Sequence, residues 1–179
     1  MPSSPMRLSC ACGQFQLEMS GAPIISTECH CKSCQDAAAR LQALPASGPV
    51  QSAAGGTPYV LYRKDRVRFP TGTDSLAAFR LTPQSTTRRV LASCCNTPVF
   101  LEFKGGHWLS LYGHLWPKGA MPPIEIRTMT QDAPASAKVP DDVPAGALPT
   151  AGFYARLLGA WIAMGLKSPT IPVTGQISA

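Results

Sequence analysis

The chain of 179 residues has few charged and few aromatic side chains, at 15% and 7% of its composition. No apolar run comes near the roughly 20 residues that a membrane-spanning helix needs. The first residues also lack the apolar region of a secretory signal. We therefore expect a cytoplasmic protein with no membrane span. The hydrophobic content of 45% excludes an intrinsically disordered chain, since it is enough to bury one core.

The 18 prolines and 15 glycines interrupt long helices. Segments that alternate or cluster apolar residues at 15–19, 59–62 and 99–103 predict short strands. We expect a mainly β protein with many turns. Residues 35–44 are rich in Ala and Leu, which predicts a short helix after a central group of cysteines.

The chain changes in character after residue 119. We predict a folded domain over 1–119, an extended arm rich in Pro and Ala over 120–152, a helix over 153–168 and a tail over 169–179. The helix is apolar nearly all round, so it should pack on the domain or on a second copy of the chain. A homodimer through this helix is one expectation.

Seven cysteines form three clusters, each at a predicted turn: Cys10 and Cys12; Cys29, Cys31 and Cys34; Cys94 and Cys95. Disulfides fit poorly, because the count is odd and cysteines this close in sequence pair only under strain. Zinc fits better, since turns can bring sulfur pairs to one ion. The pattern predicts zinc binding.

Seven ligands suggest one closed site of four and one open site of three. Cys10, Cys12, Cys94 and Cys95 would form a structural site, and Cys29, Cys31 and Cys34 would leave a fourth position for substrate. The alternative is a second structural site completed by His30 or by an outside residue. His30 fits poorly, because both neighbours are proposed ligands. A thiolate-rich ion suits an incoming thiol, so a thiol or thiol adduct is the expected substrate.

Several motifs resemble the family of glutathione-dependent formaldehyde-activating enzymes and centromere protein V. Cys10-Ala-Cys12-Gly13 is similar to its opening motif, and the run from Cys29 to Gln35, CHCKSCQ, is similar to its central motif. Supporting similarities are Gly72 before Phe79-Arg80, and Arg89 before Cys95-Asn96-Thr97-Pro98. The resemblance covers roughly residues 8–116.

The resemblance implies an antiparallel zinc domain of the β-tent type. It also implies a structural ion at the outer cysteine clusters and a catalytic or second ion at the central triplet. The implied chemistry is condensation of formaldehyde with glutathione, or related carbon–sulfur lyase chemistry of the S-(hydroxymethyl)glutathione synthase kind.

The chain departs from this family pattern at four points. The family's first cysteine of the last pair falls at Ala92, and we expect Cys94 to replace it; a distorted or water-completed site is the alternative. The usual Gly after Cys95 is Asn96, which also tolerates positive φ. The family also has a Gly five residues beyond the central motif, where this chain has Ala39. Residues 120–179 have no counterpart in the resemblance.

The formal charge of +6 is weak evidence for a polyanion partner. Two zinc ions held by seven thiolates would lower it to +3. We therefore do not expect nucleic acid as a partner. Arg89 matches a family position and is the candidate anion contact for glutathione or another thiol. The leading hypothesis is a zinc–thiol enzyme; the alternative is a non-catalytic interaction module in which both ions are structural.

Overall fold

The computed structural model describes residues 5–178. Its eleven strands are β1 (Met6–Ser9), β2 (Gln16–Met19), β3 (Ile25–Cys29), β4 (Thr57–Arg63), β5 (Val67–Thr71), β6 (Leu76–Phe79), β7 (Thr87–Ala92), β8 (Thr97–Phe103), β9 (Trp108–Tyr112), β10 (Ile126–Thr128) and β11 (Gly175–Gln176). Its two α-helices are α1 (Lys32–Gln42) and α2 (Ala147–Ala163). The predicted mainly β architecture with two helices is confirmed.

The strands form two sheets. The small sheet has the order β1-β2-β5, and the large sheet has the order β10-β3-β4-β9-β8-β7-β6-β11. Strands that are neighbours in the sheets pair antiparallel, except that β10 and β11 pair parallel with β3 and β6 at the two edges of the large sheet. The antiparallel pairing expected for the zinc domain is found among β1–β9, and the two parallel strands come from residues beyond 119. The two parallel strands differ because both arrive through long connections rather than hairpins.

The large sheet is covered on both faces. On one face, Leu17 of the small sheet packs with Val60 and Phe100 of the large sheet in one apolar cluster. On the other face, Leu41 of α1 and Leu157 of α2 share a second cluster. Side chains of neighbouring strand residues point to opposite faces, so the central strands β4, β6, β7, β8 and β9 contribute to both clusters.

The segment predicted as an arm adds a strand to the large sheet. β10 pairs with β3, the strand that ends at Cys29, and Thr128 lies opposite Cys29. The Thr128 carbonyl accepts a hydrogen bond from the His30 amide at 3.0 Å. Part of this segment therefore supports the central cysteine cluster. The domain boundaries themselves stay a prediction.

Helix α2 begins earlier than predicted, at Ala147, and only part of it is buried. Leu157 lies in the second apolar cluster, and its carbonyl accepts a hydrogen bond from His107 Nε2 at 2.8 Å. Tyr154, Leu158 and Ile162 remain exposed along one stripe. Packing on the domain is therefore observed, while contact with a second copy stays a prediction. No helix among residues 5–178 is both long and apolar enough to cross a membrane.

Candidate metal centres

The outer cysteine clusters meet where the two sheets are joined. Cys10 and Cys12 lie in the turn between β1 and β2 of the small sheet. Cys94 and Cys95 lie in the turn between β7 and β8 of the large sheet. All four sulfur atoms lie within 4.8 Å of one another. A metal ion there would link the two sheets directly.

The sulfur spacing fits a tetrahedral ion. Ligands at the usual zinc–sulfur distance of about 2.3 Å place their sulfurs about 3.8 Å apart. The Sγ of Cys94 lies 3.4 Å from that of Cys12, 3.7 Å from that of Cys10 and 3.9 Å from that of Cys95. The Sγ atoms of Cys10 and Cys12 are 3.5 Å apart. The donor set is therefore one that could hold zinc.

Backbone hydrogen bonds in the turn between β1 and β2 position the Cys10 sulfur. Gly13 adopts a left-handed φ of 77°, and its amide donates to the Cys10 carbonyl at 3.0 Å. The Phe15 amide donates to Cys10 Sγ at 3.3 Å. An amide hydrogen bond to sulfur favours the thiolate form that metals bind. Burial and the contacts with Cys12 and Cys95 nevertheless outweigh this hydrogen bond and raise the pKa of the Cys10 thiol, so a metal ion would have to displace its proton.

The second turn explains how the departure at Ala92 is accommodated. Ala92 ends β7 and is fully buried, and its carbonyl accepts a hydrogen bond from the Cys95 amide at 3.3 Å. Asn96 takes a positive φ of 52°, as its side chain type allows. The turn brings Cys94 among the other sulfurs. The geometry favours Cys94 as the replacement ligand, and its coordination of a metal stays a prediction.

Cys95 is the most acidic thiol of this outer group for which a shift is resolved. Burial raises its pKa, but hydrogen bonds with the Thr97 hydroxyl, 3.0 Å from its sulfur, and with Cys12 and Cys10 together outweigh burial, so the pKa falls to about 6. The same Thr97 oxygen accepts a hydrogen bond from the Ala11 amide at 3.1 Å. Thr97 therefore connects the two turns. In the sequence, Thr97 stands out only as part of a family motif, which does not predict its contacts with both turns.

The central cluster forms where β3 gives way to α1. Cys29 ends β3, Cys31 caps the N-terminus of α1, and Cys34 lies in the first turn of that helix. Their sulfurs lie within 4.8 Å of one another. Cys34 is buried, whereas Cys29 and Cys31 are half-buried. The cluster can therefore be reached from solvent on the side of Cys29 and Cys31.

The start of the helix favours negative charge at this cluster. Cys31 Sγ accepts a hydrogen bond from the Cys34 amide at 3.4 Å, close to the positive end of the helix dipole. Hydrogen bonds from Cys29 and Cys34 lower the pKa of the Cys31 thiol to about 2. The same contacts raise the pKa of Cys34 well above its usual value. Metal binding at this cluster therefore has to release thiol protons.

His30 lies between two of the cysteines but outside their cluster. Its ring is fully buried, and Nε2 lies 3.5 Å from Glu28 Oε2. The three clustered sulfurs have no fourth His, Cys, Asp or Glu ligand among residues 5–178. The structure thus gives no support to His30 as a fourth ligand. A position for a further ligand is left in a tetrahedral shell.

Arg89 lies against the central cluster and is almost fully buried, with 1% of its surface exposed. Its Nη2 donates to the carbonyl and the hydroxyl of Ser33, each at 2.9 Å. Its Nε and Nη1 are buried without a hydrogen-bond partner among the described residues. Burial lowers the pKa of the Arg89 guanidinium, but the neighbouring Tyr112, Tyr59 and Cys34 together outweigh burial and raise this pKa.

Two tyrosines beside Cys34 were not found by the sequence analysis. Tyr59 and Tyr112 lie opposite each other on β4 and β9, with ring centroids 5.0 Å apart. The Tyr59 hydroxyl is 3.7 Å from Cys34 Sγ. Burial raises the pKa of Tyr112 to about 12, so both phenols stay protonated near neutral pH. Only the pairing of β4 with β9 brings them together, and no local motif signals it.

No curated protein matches the chain. A Rhodobacter sphaeroides protein of known crystal structure is similar to it, with 14% identity over 65% of this chain and 92% of that chain, and a TM-score of 0.45. The sequence model of the glutathione-dependent formaldehyde-activating enzymes matches residues 5–126. Because that match spans more than half of the chain and includes all three cysteine clusters, the chain belongs to the family of glutathione-dependent formaldehyde-activating enzymes.

Proposed function

We propose that the protein binds a thiol, or the adduct of a thiol with an aldehyde, at a zinc ion held by Cys29, Cys31 and Cys34. The reaction proposed there is the making or breaking of a carbon–sulfur bond, as in a carbon–sulfur lyase. The observation that carries the proposal is a cluster of three thiols beside a buried, incompletely paired arginine. The name of the family supports glutathione and formaldehyde as the substrate classes.

The donor set supports zinc at both clusters, with different roles. Four thiols suit a closed structural site, and three leave one position open. A zinc ion held by Cys29, Cys31 and Cys34 would act as a Lewis acid that lowers the pKa of a thiol entering its open coordination position. The residues of the chain would then hold the ion, admit an anionic sulfur and offset the net negative charge of the zinc–thiolate centre.

Arg89 supplies the compensating charge. Three thiolates around a divalent ion carry a net charge of −1, and a fourth thiolate brings it to −2. Arg89 is always protonated and lies in a buried place where opposite charges interact strongly. We assign Arg89 as the positioning residue that favours an anionic fourth ligand. In this proposal the anion contact predicted at Arg89 is an electrostatic interaction with the bound thiolate, because the buried guanidinium lies beside Cys34.

Cobalt substitution tests thiol binding directly. The cobalt-loaded protein should change its visible spectrum when glutathione is added at millimolar concentration, because a fourth sulfur completes the coordination at the central cluster. S-Methylglutathione, which has no thiol, should leave the spectrum unchanged. The Cys31→Ser variant should lose the response while keeping the cobalt bands of the outer cluster.

The alternative function is a non-catalytic module with two structural ions, whose exposed stripe on α2 contacts a partner. The exposed side chains of Tyr154, Leu158 and Ile162 favour this candidate. A second copy of the chain is the partner expected from the sequence. The cobalt experiment separates the two candidates. A spectrum that glutathione does not change, or that S-methylglutathione changes equally, rejects the thiol site and favours the module.

A further inference from the structure

A second concave site lies on the face of the large sheet opposite the central cysteines. It is a pocket of about 240 Å³ lined in part by Lys64, Arg80, Arg88, Lys104, Glu102 and the C-terminal residues 168–170. Arg88 and Arg89 are neighbours on β7, so their side chains point to opposite faces of the sheet. Arg89 faces the central cysteines, and Arg88 faces this pocket. The pocket is therefore separate from the proposed thiol site.

The pocket has a surplus of positive charge. Four cationic side chains line it, and Glu102 is its one carboxylate. Both oxygens of Glu102 are already in use, since Oε1 pairs with Lys64 Nζ at 2.5 Å and Oε2 accepts from Arg88 Nε at 2.6 Å. Glu102 can offset only one of the four charges. The remaining balance of about three positive charges has no anion among the described lining residues.

Three of the cations are held in place by contacts within the protein. The side chain of Lys64 is only 3% exposed, so its ammonium group is fixed at the base of the pocket. Arg88 Nη2 donates to the Ile171 carbonyl at 2.7 Å, which also ties the C-terminal segment to the rim. Arg80 Nη1 donates to the carbonyls of Ser85 and Thr87 at 2.9 and 3.3 Å. Fixed cations lose little entropy when they bind an anion.

The polar groups around these cations suit an oxyanion. Thr86, Ser168 and Thr170, which carry hydroxyls, and Gly105 line the same pocket. Arginine, lysine and hydroxyl donors together match the several acceptor oxygens of a phosphate group. A second pocket of about 220 Å³ lacks this bias, because its Arg66 and Arg68 are accompanied by Glu18 and Asp65.

We propose that the pocket of Lys64, Arg80, Arg88 and Lys104 binds a small phosphate group, either free or as a phosphate monoester. The site uses residues 168–170, which lie beyond the family match at residues 5–126. It is independent of the proposed thiol chemistry, since neither the cysteines nor Arg89 line it. The protein would thus combine a thiol site on one face of the sheet with an anion site on the other.

A nuclear magnetic resonance titration of the full-length protein with inorganic phosphate tests this proposal. The amides of Gly105 and Ser168 should shift and saturate with a dissociation constant on the order of 1 mM. The double variant Arg80→Gln/Lys104→Gln removes two exposed cations from the rim and should weaken binding about tenfold. The control Arg68→Gln/Lys118→Gln removes an exposed arginine and lysine elsewhere and should change binding less than about twofold.

A comparison of ligands identifies the source of the phosphate. Phenyl phosphate that binds more tightly than inorganic phosphate supports a monoester, while equal or weaker binding supports free phosphate. Shifts that do not saturate, shifts outside the pocket, or equal weakening in both double variants would overturn the proposal, because they indicate unspecific attraction to a basic surface. The melting temperatures of both variants should match that of the wild type.

Discussion

Replacing Cys94 by serine should lower the melting temperature of the zinc-loaded protein by on the order of 10 °C. Cys12 and Cys94 are 82 residues apart, and an ion that joins their turns closes a long loop. For a covalent link closing a loop of that length, the loss of chain entropy in the unfolded state is worth about 4 kcal/mol. The same ion also holds the small sheet against the large one.

Thermal unfolding with matched metal analysis measures this effect. The control is Ser93→Ala, which changes an exposed side chain in the same turn and should leave both stability and zinc content unaltered. Cys94→Ser should lose one ion per chain and the stability together. A Cys94→Ser protein with wild-type melting temperature and zinc content would show that Cys94 does not replace the ligand missing at Ala92.

Replacing Arg89 by methionine should weaken glutathione binding at the central cluster by about tenfold or more, which corresponds to about 1.4 kcal/mol. Methionine fills much of the same space but carries no charge to offset a fourth thiolate. The titration of cobalt-loaded protein with glutathione gives the affinity. Arg89→Lys retains the positive charge and should recover part of the glutathione affinity, although lysine cannot reproduce the two hydrogen bonds to Ser33.

A neutral ligand distinguishes this electrostatic role from a merely structural one. Imidazole should bind the cobalt site of Arg89→Met about as well as that of the wild type, since it adds no charge. Arg68→Met, at an exposed cation far along the chain, serves as the control and should leave glutathione affinity unchanged. Equal losses for glutathione and imidazole in Arg89→Met would mean that the substitution distorts the cluster, and the assigned role would be wrong.

The sequence was informative where chemistry is local. The three cysteine clusters, their turns and the helix after Cys34 were all predicted, because ligand spacing and turn residues act over a few positions. The positive φ at Asn96 was likewise expected from its residue type. The helix begins at Lys32 rather than at residue 35, because Cys31 serves both as a clustered thiol and as the helix cap.

The contacts that depend on strand pairing could not be predicted in the same way. Tyr59 meets Tyr112 because β4 pairs with β9 in one register, and it meets Cys34 because α1 packs against β4. β10 joins the large sheet beside β3 although its segment has the composition of an extended arm. The proposed anion pocket combines residues from positions 64 to 170, and no short window of sequence contains that surplus of charge.

The central claim is that the chain holds one closed and one open metal site. Native mass spectrometry of protein purified without a metal-chelating tag, before and after mild chelation, tests it most directly. We expect two zinc ions per chain, of which one is lost readily from Cys29, Cys31 and Cys34 while the ion between the two sheets is retained. A single tightly held ion, or two ions that resist the chelator equally, would contradict the account.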